Sequence, residues 1–182
     1  INKAVLAAFK AATRLRPDIR EFYKTQRLAE DVSAKLVLPN PRCRIDEAFA
    51  TMPDGFEVPL RVFTPLDFDF SLAEGLKVSE DSRGTVLFFH GGGFLFGSVY
   101  RQNDMCLRMC KNVNMVVVSV EYRLSPMYKA PAPIEDAYAA LLWVDKNHKE
   151  IGIDNTKIAI TGLSAGGCVT AALALMTRDR KG

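Results

Sequence analysis

A serine flanked by glycines near the end of the chain has the spacing of a nucleophile held on a tight turn. In residues 162–166, Gly-Leu-Ser-Ala-Gly, glycines stand two positions before and two positions after Ser164. The apolar run Lys157–Thr161 predicts a strand before this motif, and Ala165–Thr177 predicts a helix after it. Such a turn presents the Ser164 hydroxyl at a helix N-terminus, where backbone N–H groups favour a developing anion. By itself the motif fits equally well a glycine-rich turn in which Ser164 only caps the helix.

A run of three glycines behind another predicted strand supplies the second part of such a site. His90-Gly91-Gly92-Gly93 follows the strand predicted at Thr85–Phe89. Glycines allow the backbone to bend sharply and to turn its N–H groups toward a ligand without obstruction by side chains. Donors of this kind stabilise the oxyanion of a tetrahedral intermediate, and one such donor is worth about 3 kcal/mol. His90 could act as a general base, but we expect it to anchor the glycine loop through side-chain hydrogen bonds.

Together with two further motifs, these residues resemble the hormone-sensitive-lipase-like esterases and lipases of the α/β-hydrolase superfamily. The further motifs are Glu-Tyr-Arg-Leu-Ser-Pro at 121–126 and Pro-Ile-Glu-Asp-Ala at 133–137, and the resemblance covers most of residues 40–180. It implies that Ser164 is the nucleophile and that the backbone N–H groups of Gly92, Gly93 and Ala165 hold the oxyanion. We therefore expect a serine carboxylesterase or lipase that forms an acyl-enzyme with a small-molecule ester and uses no cofactor and no metal.

Two positions depart from the pattern of that family. Leu163 stands where Asp or Glu usually precedes the serine, and Met127 stands where Glu usually follows the proline of the tyrosine-arginine-leucine motif. Neither position belongs to the catalytic triad. We therefore expect the departures to affect substrate preference and local hydrogen bonding and to leave the reaction class unchanged.

The elements that must position these motifs alternate between strand and helix. Strands are predicted at Thr85–Phe89, Met115–Val120 and Lys157–Thr161, and helices at Tyr100–Lys111, Pro133–His148 and Ala165–Thr177. The first two strands are nearly continuous apolar runs, which is typical of strands buried on both faces of a parallel sheet. The alternation predicts an α/β fold, and the resemblance implies the three-layer α/β-hydrolase fold with a mostly parallel sheet. The last helix is apolar almost all round, so we expect it to lie in the core.

The first part of the chain has a different texture. Two helices are predicted within residues 1–38, and the resemblance assigns this N-terminal helical segment to a cap over the substrate pockets. Residues 43–51 and 57–64 predict two strands joined by a Met-Pro-Asp-Gly turn, and residues 66–84 predict a surface loop. The predicted organisation is therefore a cap segment, 1–40, followed by the N-terminal part of a catalytic domain, 41–182.

The acid and the base of a catalytic triad are missing after Ser164. In α/β-hydrolases the triad follows the chain order Ser, Asp or Glu, His. The 18 residues after Ser164 contain one acid, Asp179, at the far end of the predicted helix, and no histidine. The other histidine outside the glycine motif, His148, ends a helix and is expected to be solvated. Because a serine without a base is a poor nucleophile near neutral pH, this chain alone is expected to be inactive.

The missing triad residues lead us to expect that this chain is one piece of a longer protein. The C-terminal strands of the fold would be missing, so the strand at Lys157–Thr161 would be an exposed apolar edge. A C-terminal polypeptide segment, from a truncated, nicked or paired chain, would then complete the fold and supply the acid and the histidine.

Composition argues against several other classes of function. The net charge is +3 and the basic residues are scattered among acids, so nothing indicates a nucleic-acid partner. No apolar stretch approaches the roughly 20 residues of an integral membrane segment. Cys43, Cys106, Cys110 and Cys168 show no metal-binding spacing, and we expect buried, reduced thiols and a cytoplasmic location.

Two alternatives stay open at this point. The first is a hydrolase-like binding protein or receptor that keeps the pocket without a working triad, as the gibberellin receptors of plants, which resemble this family, show is feasible. The second is that the 182 residues form a complete minimal or regulatory protein, against which stands a sheet that would end in the middle of a core. Deacetylation of amides uses the same reaction chemistry as ester hydrolysis.

Overall fold

The computed structural model describes residues 42–66 and 83–180. The predicted N-terminal helices and cap segment, and nearly all of the predicted loop 66–84, lie outside the described residues. The elements of the described part are, in chain order, β1 (Cys43–Thr51), β2 (Glu57–Pro65), β3 (Thr85–Phe89), α1 (Asn103–Val113), β4 (Val116–Val120), α2 (Ala132–Lys146), β5 (Ile158–Gly162) and α3 (Ala165–Asp179).

The five strands of the described residues form one mixed sheet with the order β1-β2-β4-β3-β5. Strands β4, β3 and β5 are parallel, and β1 and β2 join them by antiparallel pairing. The register places Phe89 opposite Gly162. The glycine loop after β3 and the serine motif after β5 therefore leave the sheet side by side, at the carboxyl ends of neighbouring parallel strands, where open α/β sheets bind their ligands.

Helices pack on both faces of this sheet, as the α/β-hydrolase fold requires. On one face, Val86 and Phe88 of β3 pack in a buried cluster that includes the cysteines of α1. On the other face, Leu87 and Phe89 belong to the main core, to which α2 and α3 contribute. Alternate side chains of a strand point to opposite faces, so the continuous apolar run in β3 fills both layers. The predicted three-layer architecture is confirmed.

The predicted element boundaries hold to within two residues, except at the start of one helix. Strand β3 has the predicted bounds, and β4 begins one residue later than predicted. Helix α1 begins at Asn103, three residues later than predicted. Residues Tyr100–Gln102 form a turn before it, and the Arg61 guanidinium lies 4.7 Å from the Tyr100 ring centre. This contact with a distant strand is invisible to helical periodicity.

The prediction that the last helix lies in the core is wrong for most of its surface. Helix α3 buries Ala165, Gly166, Val169 and Leu173, all on one face. Leu175 is 54% exposed. The helix contacts β5, β3 and α2, and these neighbours cover only that face. Apolar composition predicted burial, but the number of neighbouring elements limits it.

Strand β5 lies at one edge of the sheet in the described part of the chain, as expected. It pairs with β3 alone among these residues. Ile158 and Ile160 are half-buried and Ala159 is exposed, whereas every residue of β3 and β4 is buried. One edge of the parallel sheet is therefore unfinished within the described residues.

Three of the four cysteines follow the prediction of buried thiols. Cys43, Cys106 and Cys110 are free and buried, and the sulfur atoms of Cys43 and Cys110 are 3.4 Å apart between β1 and α1. Cys168 is free but exposed, so the prediction is wrong at this position because the residue lies on the uncovered face of α3. Within residues 42–66 and 83–180, no helix has the length and apolar character needed to cross a membrane.

Candidate active site

Ser164 occupies a strained turn between β5 and α3. Its backbone φ is +51° with ψ −111°, in a region that side-chain-bearing residues rarely adopt. It is solvent-exposed, and its side chain makes no capping hydrogen bond to the helix that follows. A simple helix cap would show both a β-region backbone and that hydrogen bond. The geometry therefore favours a serine presented for chemistry over a serine that only caps the helix.

The glycines on either side of Ser164 are required by close backbone contacts. A Cβ atom on Gly162 would collide with the backbone of Gly166, the second residue of α3. A Cβ atom on Gly166 would collide with the carbonyl of Phe89, at the end of the neighbouring strand. The Leu163 amide also donates a hydrogen bond to the Phe89 carbonyl, at 3.1 Å. The helix therefore packs directly onto the end of β3, which fixes the position of Ser164 relative to the glycine loop.

The glycine loop, residues 90–97, lies against the serine turn. A Cβ atom built on Gly91 would be 3.0 Å from the Leu163 carbonyl oxygen and 3.5 Å from the Ser164 Cβ. Only a glycine fits comfortably at this distance. The structure therefore brings the two predicted motifs into contact.

The loop itself has an unusual backbone in which three successive residues have positive φ. The values are +135° at Gly92, +64° at Gly93 and +62° at Phe94. The Gly92 carbonyl accepts hydrogen bonds from the amides of Leu95 and Phe96, at 3.1 and 3.0 Å. Within residues 83–180, the amides of Gly92 and Gly93 donate no hydrogen bond to the chain. Two adjacent donors are thus available to an external acceptor.

The N-terminus of α3 adds a third donor. Ala165 is the first residue of that helix, and the first amides of a helix have no intrahelical acceptor. The first turn of α3 carries no acidic residue, so the positive end of the helix dipole is not neutralised there. The amides of Gly92, Gly93 and Ala165 are the chain's candidates for holding an oxyanion.

His90 has the environment expected of an anchor for the glycine loop. Its side chain is fully buried, and its Nδ1 lies 2.9 Å from the Gly91 carbonyl oxygen. Its ring stacks on the Tyr122 ring, with centroids 4.3 Å apart and planes 11° from parallel. These contacts support the interpretation of His90 as a structural residue.

Asp179 and His148 make no observed contact with Ser164 in the described residues. Asp179 is the last residue of the 15-residue helix α3, and a helix of that length spans about 22 Å. His148 follows the end of α2, and its Nδ1 lies 2.6 Å from the Asp145 carbonyl oxygen. The described residues contain no cluster of three or more metal-ligating side chains.

A buried ion pair supports the segment after β4, and sequence reasoning missed it. Asp136 is fully buried, and its carboxylate accepts hydrogen bonds from the Arg123 backbone amide, Nε and Nη2 at 2.7–3.0 Å. Arg123 also donates to Asp54, at 3.1 Å, and lies 4.5 Å from the Phe56 ring centre. Burial raises the pKa of the Asp136 carboxyl, and the hydrogen bonds from Arg123 oppose that shift. The signal was present in the motifs at 121–126 and 133–137, but no residue pattern shows that they meet.

Comparison with known proteins agrees with this architecture. A family model described as "alpha/beta hydrolase fold" matches residues 86–182, just over half of the chain. The chain belongs to this α/β-hydrolase family. The hydrolase motifs at 90–93 and 162–166 both lie inside the matched range, and the resemblance to hormone-sensitive-lipase-like esterases and lipases is confirmed.

Individual relatives within the α/β-hydrolase family extend this likeness toward the N-terminus. The chain is 31% identical to an arylesterase of Saccharolobus solfataricus over 88% of its own length and 48% of the relative's. It is 34% identical to carboxylesterase NlhH of Mycobacterium tuberculosis over 76% of its own length and 40% of the relative's. Among solved structures, an esterase from Pyrobaculum calidifontis superposes with a TM-score of 0.73 at 37% identity, covering 91% of this chain and 50% of that one. The chain therefore spans half or less of the length of these relatives.

Proposed function

We propose that this chain supplies the nucleophile and the oxyanion site of a serine carboxylesterase or lipase-type hydrolase. The observation that carries the proposal is the strained, exposed Ser164, free of any capping hydrogen bond, in contact with a loop of consecutive positive-φ glycines. The relatives named above are esterases, which supports the same reaction class for a protein that contains this chain.

In the proposed reaction, the Ser164 hydroxyl oxygen attacks the carbonyl carbon of an ester while a histidine from outside this chain accepts its proton. The carbonyl oxygen becomes an oxyanion that accepts hydrogen bonds from the amides of Gly92, Gly93 and Ala165. The alcohol leaves with a proton from that histidine, and an acyl group stays on Ser164. Water, activated by the same histidine, then releases the carboxylic acid and restores the serine.

The proposal includes a polypeptide segment that completes the fold and brings the acid and the histidine. The edge of β5, the turn after it and the outer face of α3 are the proposed docking surface. All three expose apolar side chains: Ala159 on β5, Leu163 on the turn at 37% and Leu175 on α3 at 54%. The relatives' greater length supports such a segment.

A cytoplasmic location stays a prediction, supported by the four free thiols.

Covalent labelling with a fluorophosphonate probe tests the proposal. The complete protein, with the completing segment present, is expected to be labelled on Ser164, and the labelled peptide is identified by mass spectrometry. Ser164→Ala is expected to abolish labelling and to lower hydrolysis of a short-chain p-nitrophenyl ester by about 10⁴-fold or more.

Thr177→Ala is the matched control, since its hydroxyl lies on the same helix, donates to the Leu173 carbonyl and is far from the serine turn. It is expected to be labelled like the unmodified protein. A folded, complete protein that binds small esters but shows no label on Ser164 would instead support a receptor.

A further inference from the structure

The segment that follows β4 holds the glycine loop at several points, and this role extends beyond the residues of the proposed mechanism. The Tyr122 hydroxyl donates a 2.6 Å hydrogen bond to the His90 carbonyl oxygen, at the start of the loop. Tyr122 is 1% exposed, and its ring also stacks on the His90 side chain. Burial raises the pKa of Tyr122, so its hydroxyl stays protonated and remains a donor near neutral pH.

Two further contacts hold the middle of the loop and the backbone just beyond its end. The Ser125 amide donates to the Phe94 carbonyl oxygen at 2.8 Å. The Glu121 carboxylate accepts from the Val99 amide at 2.7 Å, just beyond the loop. The segment 121–125 thus contacts the backbone at the beginning, the middle and the end of the region that carries the candidate oxyanion donors.

The conformation that these contacts hold is one the loop would not adopt freely. Phe94 has a φ of +62°, and a residue with a side chain in this left-handed region costs about 1–2 kcal/mol. Such backbones persist where surrounding contacts determine them. The Phe94 ring packs edge-on against the Tyr122 ring, with centroids 6.4 Å apart. Tyr122 therefore contacts the loop in two ways. Its hydroxyl bonds to the His90 carbonyl, and its ring packs against the rings of His90 and Phe94.

We propose that Tyr122 is a positioning residue for the oxyanion site: its hydroxyl fixes the His90 carbonyl and so sets the direction of the Gly92 and Gly93 amides. Glu121 assists by fixing the backbone just beyond the far end of the loop, at Val99. This inference rests on the proposed function. Because the amides meet a charged oxygen only during the reaction, misdirecting them raises the barrier and leaves ground-state binding of the ester nearly unchanged.

Tyr122→Phe in the complete protein is the sharpest test, since it keeps the stacked ring and removes only the hydroxyl. Loss of one oxyanion donor lowers kcat by about 10²–10³, and a donor that is only misdirected should cost less. We expect kcat to fall by roughly tenfold with KM within about twofold. A trifluoromethyl ketone forms a tetrahedral adduct on the serine. Its inhibition constant should rise by the same factor by which kcat/KM falls.

Tyr138→Phe is the matched control, because this substitution also removes one tyrosine hydroxyl. Tyr138 lies on α2 against Arg180, away from the glycine loop. The variant is expected to keep the unmodified kcat. A Tyr122→Phe protein with a lower melting temperature but unchanged kcat and inhibitor affinity would overturn the inference, because that result assigns Tyr122 a structural role only. A raised KM at unchanged kcat would overturn it as well.

A pair of substitutions at Glu121 keeps the test decisive if Tyr122→Phe fails to fold. Glu121→Gln retains an acceptor for the Val99 amide and should keep most of kcat, whereas Glu121→Ala should lower it several-fold; equal kcat in both contradicts the positioning role.

If the unmodified protein is not labelled at Ser164, the proposed function and this inference fail together. If it is labelled normally and Tyr122→Phe is fully active, only this inference fails.

Discussion

The elements on the two sides of Ser164 differ in how deeply they are buried. On one side, β3 and β4 are buried at every position, and the glycine loop is held by the segment after β4. On the other side, β5 has no buried residue and α3 has one buried face. Within the described residues, Ser164 lies on the boundary between a core buried on both faces and an open sheet edge.

This contrast separates the two tasks of the proposed site. Stabilising an oxyanion needs donors held rigidly in advance, because they gain their effect only if they do not reorganise during the reaction. The finished side supplies that rigidity with local hydrogen bonds and buried packing. The acid and the histidine belong, in our proposal, to the segment that covers the open side, so the assembled protein would bring the base to an oxyanion site that is already formed.

The largest expected effect comes from disturbing the contact that joins the two sides. Gly166→Ala would push a Cβ atom into the carbonyl of Phe89, and neither backbone can yield without moving α3. We expect a loss of about 4 kcal/mol or more in the free energy of unfolding, measured from the urea midpoint. Gly167→Ala is the control, since its nearest neighbour would be 3.6 Å away, an ordinary contact. It should be neutral or stabilising by up to about 1 kcal/mol, and equal losses in both variants would contradict the close packing.

A second prediction compares a buried ion pair with an exposed one next to it. Asp136→Ala removes the main partner of Arg123, whose side chain is only 10% exposed, and should destabilise the fold by roughly 3 kcal/mol. Glu135→Ala removes the surface pair with Arg180 and should cost less than about 1 kcal/mol. Chemical denaturation of both variants checks this. A cost at position 135 as large as that at 136 would mean that the buried pair does not support the segment after β4.

The smallest expected effect on stability is at the cysteines, where the two sides differ in reactivity. In this chain, Cys168 on the open face of α3 should react quickly with iodoacetamide, and Cys168→Ser should remove the fast-reacting thiol with little change in stability. Cys106 should react only after unfolding, because burial raises its pKa to about 12 and the thiolate is the reactive form. Peptide mapping of the alkylated protein identifies the sites. Rapid alkylation of Cys106 in the folded chain would mean that the finished side is less well packed than described.

Much of the core could be predicted because its signals are local. The run at β3 is apolar at every position, and its bounds agree with the structure. The start of α1 is predicted three residues too early, because the turn before Asn103 includes Tyr100, whose ring contacts Arg61 of a distant strand. The wrong prediction of a fully buried α3 has a related cause. Apolar residues all round a helix favour burial, but they do not show how many elements pack against it. The prediction of a buried thiol is wrong at Cys168 for the same reason.

The sequence by itself determined the reaction class that the site suggests, because that class depends on residue types at fixed short spacings: a serine between glycines after a strand, and three glycines after another. The tertiary structure decided whether those motifs meet. The register that sets Phe89 opposite Gly162 brings the loop to the serine. The strained φ of Ser164 and the absence of a capping hydrogen bond argue against a helix cap and support the proposed nucleophile. The strand register and the contact between the two turns depend on which strands are neighbours and on how closely two backbones approach. Neither can be predicted from the residues of a single segment.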